Sequence, residues 1–167
     1  EGGIKKAYKL FDKSEVKPSN YHQKDIETNS VGDRYSKILQ KVFEPEYNFS
    51  DYSRASSIYW PGNKLGHGRE DVSKLWNSLK DIFSDINFSI EHIGYLNEPN
   101  KNPRASIRWF LEGIHSNDSK EFGKKSNSKL FIMGINHVEL DDDGVIREWV
   151  LFDEVAIWKQ ILMNKEN

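Results

Sequence analysis

Apolar residues recur at helical spacing in three segments of the chain and at the two-residue spacing of strands in most of the rest. The helical pattern is clearest over Arg69–Phe83, where six apolar residues form one continuous stripe. It predicts a helix that packs on a sheet through Trp76 and Leu79. Further helices are predicted over Val31–Phe43 and, at the end of the chain, over Glu154–Leu162.

The two-residue period predicts strands, and turn dipeptides separate them. The predicted strands are Ser57–Trp60, Phe88–Leu96, Arg104–His115, Leu130–Leu140 and Val145–Asp153. Asp141–Gly144 has the composition of a hairpin tip, and Gly66–Gly68 that of a turn before the long helix. With helices mostly first and antiparallel strands last, we expect an α+β fold, with helices packed on one face of a strongly curved antiparallel sheet.

The length of 167 residues and the mass of 19.5 kDa suit one compact domain. We assign residues 30–163 to this domain and residues 164–167 to a polar tail. We expect residues 1–29 to form an arm or capping helix, because Ile4–Phe11 is weakly amphipathic and Pro18 follows it. A further short helix is predicted near Asn48–Arg54.

Composition excludes several classes of function. A net charge of −2 offers no basic excess for a nucleic-acid backbone, and the lack of cysteine removes disulfides, thiolate metal sites and cysteine nucleophiles. No run approaches 18 apolar residues, so we expect no membrane span. We expect a cytoplasmic protein, although the chain begins at Glu1 rather than Met, which leaves open a trimmed secretion signal.

The candidate chemistry lies where predicted strands end. The chain carries no nucleophile elbow, Walker loop, zinc-binding His-Glu-x-x-His or dinucleotide fingerprint. Asp153 ends the last strand on the same face as Trp149, and His115 ends the Arg104–His115 strand after Gly113. Asp153 is equally suited to cap the closing helix, and His115 to be a solvated strand-end residue. The residues alone leave both alternatives open.

A set of short motifs occurs in a recognisable order. They are Trp60-Pro61-Gly62, Gly66 and Gly68, Ile82-Phe83-Ser84-Asp85, Arg108-Trp109, Gly113-Ile114-His115, Phe122-Gly123, Gly144-Val145-Ile146, Trp149-x-x-x-Asp153 and Gln160. Together they resemble the SnoaL-like polyketide cyclases of the nuclear-transport-factor-2-like superfamily, over about residues 30–163.

The resemblance implies a cone-shaped α+β fold in which a bent antiparallel sheet encloses a deep apolar pocket. It further implies that Asp153 is the general acid/base, that His115 lies beside it, and that neither a metal nor an organic cofactor is needed. This sequence departs from the family pattern in three places. The loop after His115 is longer, Ser126-Asn127-Ser128 stands where the family has Pro-Thr-Gly, and one residue is missing between Ile146 and Trp149. These loop changes leave the substrate open.

On this basis we expect a small-molecule enzyme of cyclase, isomerase or lyase type that acts by acid/base chemistry in an apolar pocket. The expected substrate is a small apolar or aromatic molecule. The candidate substrate-binding residues are Trp60, Trp109, Trp149, Arg108 and His137.

Two alternatives stand beside this expectation. One is a non-catalytic ligand-binding or dimerisation module of the same fold. The other is an epoxide hydrolase, which would need Arg108 with Glu112 or Glu148 around a water molecule.

The long strands carry bulky groups on both faces, with Phe131, Met133 and Ile135 on one and Leu130 and Ile132 on the other. One face can line the pocket, and the other then needs a cover. We therefore expect a homodimer through the outer face of the sheet.

Overall fold

The computed structural model describes residues 25–26 and 30–164, which form three helices and one seven-stranded sheet. The helices are α1 (Ser30–Val42), α2 (Gly68–Lys80) and α3 (Glu154–Asn164). The strands are β1 (Asp25–Ile26), β2 (Tyr52–Trp60), β3 (Lys64–His67), β4 (Phe83–Leu96), β5 (Arg104–His115), β6 (Lys129–Asp141) and β7 (Gly144–Phe152). The predicted helix over Ile4–Phe11 lies outside the described residues.

The sheet has the strand order β1-β4-β5-β6-β7-β2-β3. It is mixed rather than purely antiparallel, because β2 pairs with β7, and β1 with β4, in parallel. Register shifts leave extra residues in β2, β4 and β7, and such bulges bend the strands. The helices pack on one face of this curved sheet, so the predicted α+β class and the one-sided helical layer are confirmed.

The predicted bounds of α1, α3, β5, β6 and β7 are confirmed to within two residues, and those of β5 are identical, whereas β2 and β4 each begin five residues before the predicted strands. The predicted helix near Asn48–Arg54 is wrong, because β2 begins at Tyr52. The Gly66–Gly68 segment forms the end of β3 and the start of α2, rather than a separate turn. Helix α2 ends at Lys80, although its apolar stripe continues through Phe83, because Phe83 is the first residue of β4 and pairs with His115.

Trp76 and Leu79 are buried on the sheet side of α2, as expected from the apolar stripe. The helix begins without a side-chain cap from His67. Instead, a carboxylate oxygen of Asp71 accepts a hydrogen bond from the backbone N–H of His67 at 3.0 Å. The acidic first turn predicted from Glu70 and Asp71 therefore satisfies one of the helix's free amides.

Gln160 docks α3 onto the sheet at the point where β7 ends. Its Oε1 accepts a hydrogen bond from the N–H of Phe131, and its Nε2 donates to the carbonyl of the same residue, both at 2.8 Å. The pairing between β6 and β7 stops at Gly134, so this part of β6 has no β7 partner. The amide of Gln160 thus takes the place of a neighbouring strand, which explains the value of an amide side chain at this position.

Candidate functional site

Glu148 on β7 places a carboxylate in the interior of the curved sheet. Glu148 is 0% exposed, and its register partners Val138 on β6 and Ile58 on β2 are buried on the same face. The two-residue period of β7 places it inside together with Val150. A charged group at such a position must find hydrogen-bond partners or lose its charge.

Four donors surround this carboxylate, two on each oxygen. Oε1 accepts hydrogen bonds from the hydroxyl of Tyr35 and from Nδ2 of Asn136, the latter at 2.7 Å. Oε2 accepts from the hydroxyl of Tyr52 at 3.0 Å and from the indole N–H of Trp76 at 3.2 Å. The helices α1 and α2 and the strands β2 and β6 thus converge on one side chain.

The amide of Asn136 is held in one orientation by its neighbours. Trp109 donates its indole N–H to Oδ1 of Asn136 at 2.7 Å, and an indole nitrogen can only donate. Nδ2 therefore faces Glu148 and the hydroxyl oxygen of Tyr35, to which it also donates at 2.7 Å. We call these six residues the Glu148 cluster: Tyr35, Tyr52, Trp76, Trp109, Asn136 and Glu148.

Burial dominates the protonation of the Glu148 cluster. It raises the pKa of Glu148 above the usual value for a glutamate, although the four donors act in the opposite direction. Burial, with the negative charge of Glu148 next in effect, also raises the pKa of Tyr35 and Tyr52 well above 10, so both tyrosines remain neutral donors. The arrangement therefore holds a carboxyl group whose proton affinity is increased, as in a general acid or base.

A cleft of about 400 Å³ opens at the C-terminal ends of α1 and α2, and Phe43, Phe83 and Ile86 provide its apolar lining. Phe43 stacks on Phe88 with 4.1 Å between the ring centres and meets the edge of Trp76 at 5.8 Å. Aromatic contacts therefore connect this cleft, which we call the rim cleft, to the Glu148 cluster.

The structure places Asp153 in the helix-capping position that the sequence left open. Asp153 is exposed, and its Oδ1 accepts a hydrogen bond from the N–H of Ala156 at 3.0 Å, in the first turn of α3. Trp149 faces outward on β7, opposite to Glu148 and Val150, and the exposed Asp153 follows the end of that strand, so Asp153 is not inside the curved sheet.

His115 is buried at the end of β5, and its Nδ1 lies 3.1 Å from the hydroxyl of Ser126 and accepts the N–H of the same residue at 3.3 Å. The expectation that His115 lies beside Asp153 does not agree with the strand register. Along β6, Ile114 pairs with Lys129 and Phe152 with Gly134. Five residues of strand, or about 17 Å, separate the two positions.

The five candidate substrate-binding residues divide between the two faces of the sheet. Trp60 and Trp109 are buried inside, where each lies within aromatic contact distance of Trp76. Trp149 lies on the outer face, where it stacks on Tyr59.

Arg108 and His137 also lie on the outer face, since both alternate with buried neighbours along their strands. Glu112 faces outward too, in an ion pair with Lys129. Arg108 and Glu112 are thus separated by the sheet from Glu148, so these groups do not surround a common water as the epoxide hydrolase alternative requires.

Glu148 was named from the sequence only as a hydrolase candidate, and the Glu148 cluster as a unit was not predicted. The available signal was a polar residue at an inward position of a strand otherwise buried on that face. Asn136 gives the same signal on β6, where it lies between the buried residues Gly134 and Val138. Pairing these two polar positions required the sheet register.

The fold of the chain is found in many solved structures. A protein named as a SnoaL-like polyketide cyclase from Jannaschia sp. CCS1 matches with a TM-score of 0.61 and 13% identity, over 81% of this chain and 96% of that chain. One of the same description from Shewanella putrefaciens CN-32 has a TM-score of 0.63 and 17% identity, over 82% and 88%. The chain has a SnoaL-like, nuclear-transport-factor-2-like fold.

A further match is IdmH, named as a polyketide cyclase from Streptomyces antibioticus, with a TM-score of 0.62 and 14% identity over 80% of this chain and 99% of that chain. No family model matches the sequence, and no curated protein matches it. Within residues 25–26 and 30–164, no helix is long and apolar enough to cross a membrane.

Proposed function

We propose that this SnoaL-like chain is a small-molecule enzyme that acts by cofactor-free acid/base chemistry, of the cyclase, isomerase or lyase type, with Glu148 in place of Asp153 as the proton-transferring group. One observation carries the proposal: the carboxylate of Glu148 is fully buried among aromatic donors. The substrate is a small apolar or aromatic molecule that carries a carbonyl or another group able to acidify a neighbouring C–H.

The proposed chemistry is proton removal next to the activating group. The carboxylate of Glu148 takes the proton, the C–H electron pair forms the enolate, and the negative charge moves to the carbonyl oxygen. A hydroxyl donor placed at that oxygen stabilises the charge. Tyr35 and Tyr52 are suited to this role, because a hydroxyl can turn from Glu148 toward a substrate, whereas the N–H of Trp76 has one fixed direction.

The test compares two matched replacements of a carboxylate by an amide, Glu148→Gln and Asp153→Asn. Small carbonyl, lactone and epoxide compounds are screened with the wild-type protein, and kcat/KM is then measured for each variant. We expect Glu148→Gln to lower kcat/KM by about 10²–10⁴-fold, the usual contribution of a positioned acid or base. Asp153→Asn should leave it near the wild-type value, since asparagine caps helices as well as aspartate does.

A result with the opposite ranking would return the catalytic role to Asp153, and undiminished turnover in Glu148→Gln would contradict the proposed mechanism. Circular dichroism and thermal melting of both variants identify a loss of activity that is caused by unfolding.

A non-catalytic binding module is the second candidate, and one observation favours it. Each oxygen of Glu148 already accepts two hydrogen bonds, so the four acceptor positions of the carboxylate are occupied. A base needs one of them free. Saturable binding of an aromatic compound by a wild-type protein that turns over none of the screened compounds would support this candidate.

We further propose a homodimer through the outer face of the sheet. Leu151 and Met133 are 66% and 62% exposed there, and Ile135 and Trp149 extend the same apolar surface. Monomeric proteins seldom expose a contiguous apolar area of this kind. Light scattering at micromolar concentration should give twice the chain mass, and Leu151→Lys should give the mass of a monomer. A wild-type monomer would contradict the proposal.

A further inference from the structure

One aromatic ring that lines the rim cleft, that of Phe43, also contacts a ring of the Glu148 cluster. Phe43 lines the cleft, and the same ring stacks on Phe88 and meets the edge of Trp76. Phe88 in turn lies 5.9 Å from the ring of Trp109, centre to centre. Trp76 and Trp109 are the two indoles of the Glu148 cluster, so Phe43 contacts the cleft on one side and the rings of that cluster and Phe88 on the other.

The main chain on both sides of Phe43 is held in place. Lys80, at the end of α2, donates hydrogen bonds from Nζ to the carbonyl of Val42 at 3.1 Å and to that of Glu44 at 3.4 Å. Phe43 itself is only partly buried and lies one residue beyond the end of α1. The motion available to it is therefore rotation of its side chain, which would leave one face of Phe88 uncovered.

We propose that Phe43 is a gate, and that a neutral, flat aromatic molecule entering through the rim cleft takes its place against Phe88. A flat ring restores the stacking contact that Phe43 gives up, which an aliphatic molecule cannot do. The inference rests on the proposed function in one respect, in that it names the class of molecule that reaches Glu148.

The charges at the rim favour a neutral ligand over an anionic one. Glu44 and Asp81 each contribute a negative charge and Lys80 one positive charge, so these three groups of the cleft have a net charge of −1. Two of the three N–H groups of Lys80 already bind backbone carbonyls. An aromatic carboxylate would therefore meet more repulsion than attraction, whereas a phenol would not.

The experiment uses 2-naphthol as the neutral probe and 2-naphthoate as its anionic counterpart. Binding is followed by fluorine NMR of protein labelled with 5-fluorotryptophan, because the signals of Trp76 and Trp109 report on the interior. Phe43→Ala removes the gate, Phe43→Leu keeps apolar volume without a flat ring, and Ile86→Ala is the matched control that lines the same cleft.

We expect 2-naphthol to shift the Trp76 and Trp109 signals and to bind about tenfold more tightly to Phe43→Ala than to the wild type, since the competing ring is gone. Phe43→Leu should fall between them, Ile86→Ala should change Kd less than about twofold, and 2-naphthoate should bind more weakly throughout.

The gate is refuted if Phe43→Ala binds no more tightly than Ile86→Ala, or if only the Trp149 and Trp158 signals move. Equal or tighter binding of 2-naphthoate would refute the preference for a neutral ligand. None of these readouts requires turnover, so the gate can fail while Glu148 remains essential for activity, and the reverse also holds.

Discussion

Replacing Gly134 by alanine is expected to displace Trp109, the indole that orients Asn136 in the Glu148 cluster. A Cβ atom at Gly134 would lie 2.0 Å from Cζ2 of Trp109 and 2.3 Å from Cε2, whereas ordinary contacts begin near 3.4 Å. Trp109 is fully buried between the sheet and the helices, so its ring must move by more than 1 Å into occupied space. The displacement also lengthens its 2.7 Å hydrogen bond to Asn136.

The cost follows from these contacts. Overpacking of a filled core costs about 1–3 kcal/mol, and a buried donor left without a partner adds about 1–3 kcal/mol. Alanine loses less conformational entropy on folding than glycine does, which offsets roughly 0.5–1 kcal/mol of this cost. We therefore expect Gly134→Ala to lower the free energy of unfolding by about 3 kcal/mol, and Tm by about 6–12 °C for a chain of this size.

Gly94→Ala is the matched control, because a Cβ there has no neighbour closer than 3.9 Å. It should change the free energy of unfolding, measured by urea denaturation, by less than about 1 kcal/mol. Trp109→Phe removes the ring atoms that clash, so combining it with Gly134→Ala should cost at least about 1 kcal/mol less than the sum of the single variants. Equal stability of Gly134→Ala and Gly94→Ala would show that Trp109 does not pack across Gly134.

Three further predictions, made with substitutions of Glu148, Asp153 and Gln160, test other parts of the structure. Burial raises the pKa of Glu148 above its value of about 4.5 in the unfolded chain. The stability of the wild type relative to Glu148→Gln should therefore fall as pH rises above 4.5, by up to about 1.4 kcal/mol per pH unit. A stability difference that does not change with pH in denaturant titrations would contradict this. Asp153→Ala should lower the free energy of unfolding by about 1 kcal/mol and Asp153→Asn by much less, and equal losses would argue against the cap on Ala156. Gln160→Leu leaves the N–H and carbonyl of Phe131 without their side-chain partner. It should lower the free energy of unfolding by about 2–4 kcal/mol and speed hydrogen exchange at the Phe131 amide. Unchanged exchange at that amide would contradict the docking role of Gln160.

Much of the fold could be predicted from the sequence, because local patterns report on local structure. The alternation in Arg104–His115 matches the alternating burial of β5, and the apolar stripe of Arg69–Phe83 identifies the buried face of α2. The errors occurred where tertiary contacts overrode local preference. The stripe continues past Lys80 because Phe83 is buried in a strand, and a buried strand residue looks the same as one more turn of an apolar helix face.

The candidate site could be predicted only in part. Trp60 and Trp109 are inside the curved sheet as expected, whereas Trp149, Arg108 and His137 are outside. A two-residue period shows that alternate residues share a face, but it does not show which face is the inner one.

The sequence by itself determined the class of fold, the bounds of α1, α3 and β5–β7, and the residue able to cap α3. Only the tertiary structure decided which carboxylate is buried. Asp153 and Glu148 are five residues apart, so the two-residue period of a strand predicts that they face opposite sides of the sheet. The local pattern does not show which of the two sides is the buried one. Register across β6 and β2, together with the donors that α1 and α2 bring to the interior, places Glu148 inside. A buried charge is stable only where distant parts of the chain supply its hydrogen bonds, and that condition is a property of the folded molecule.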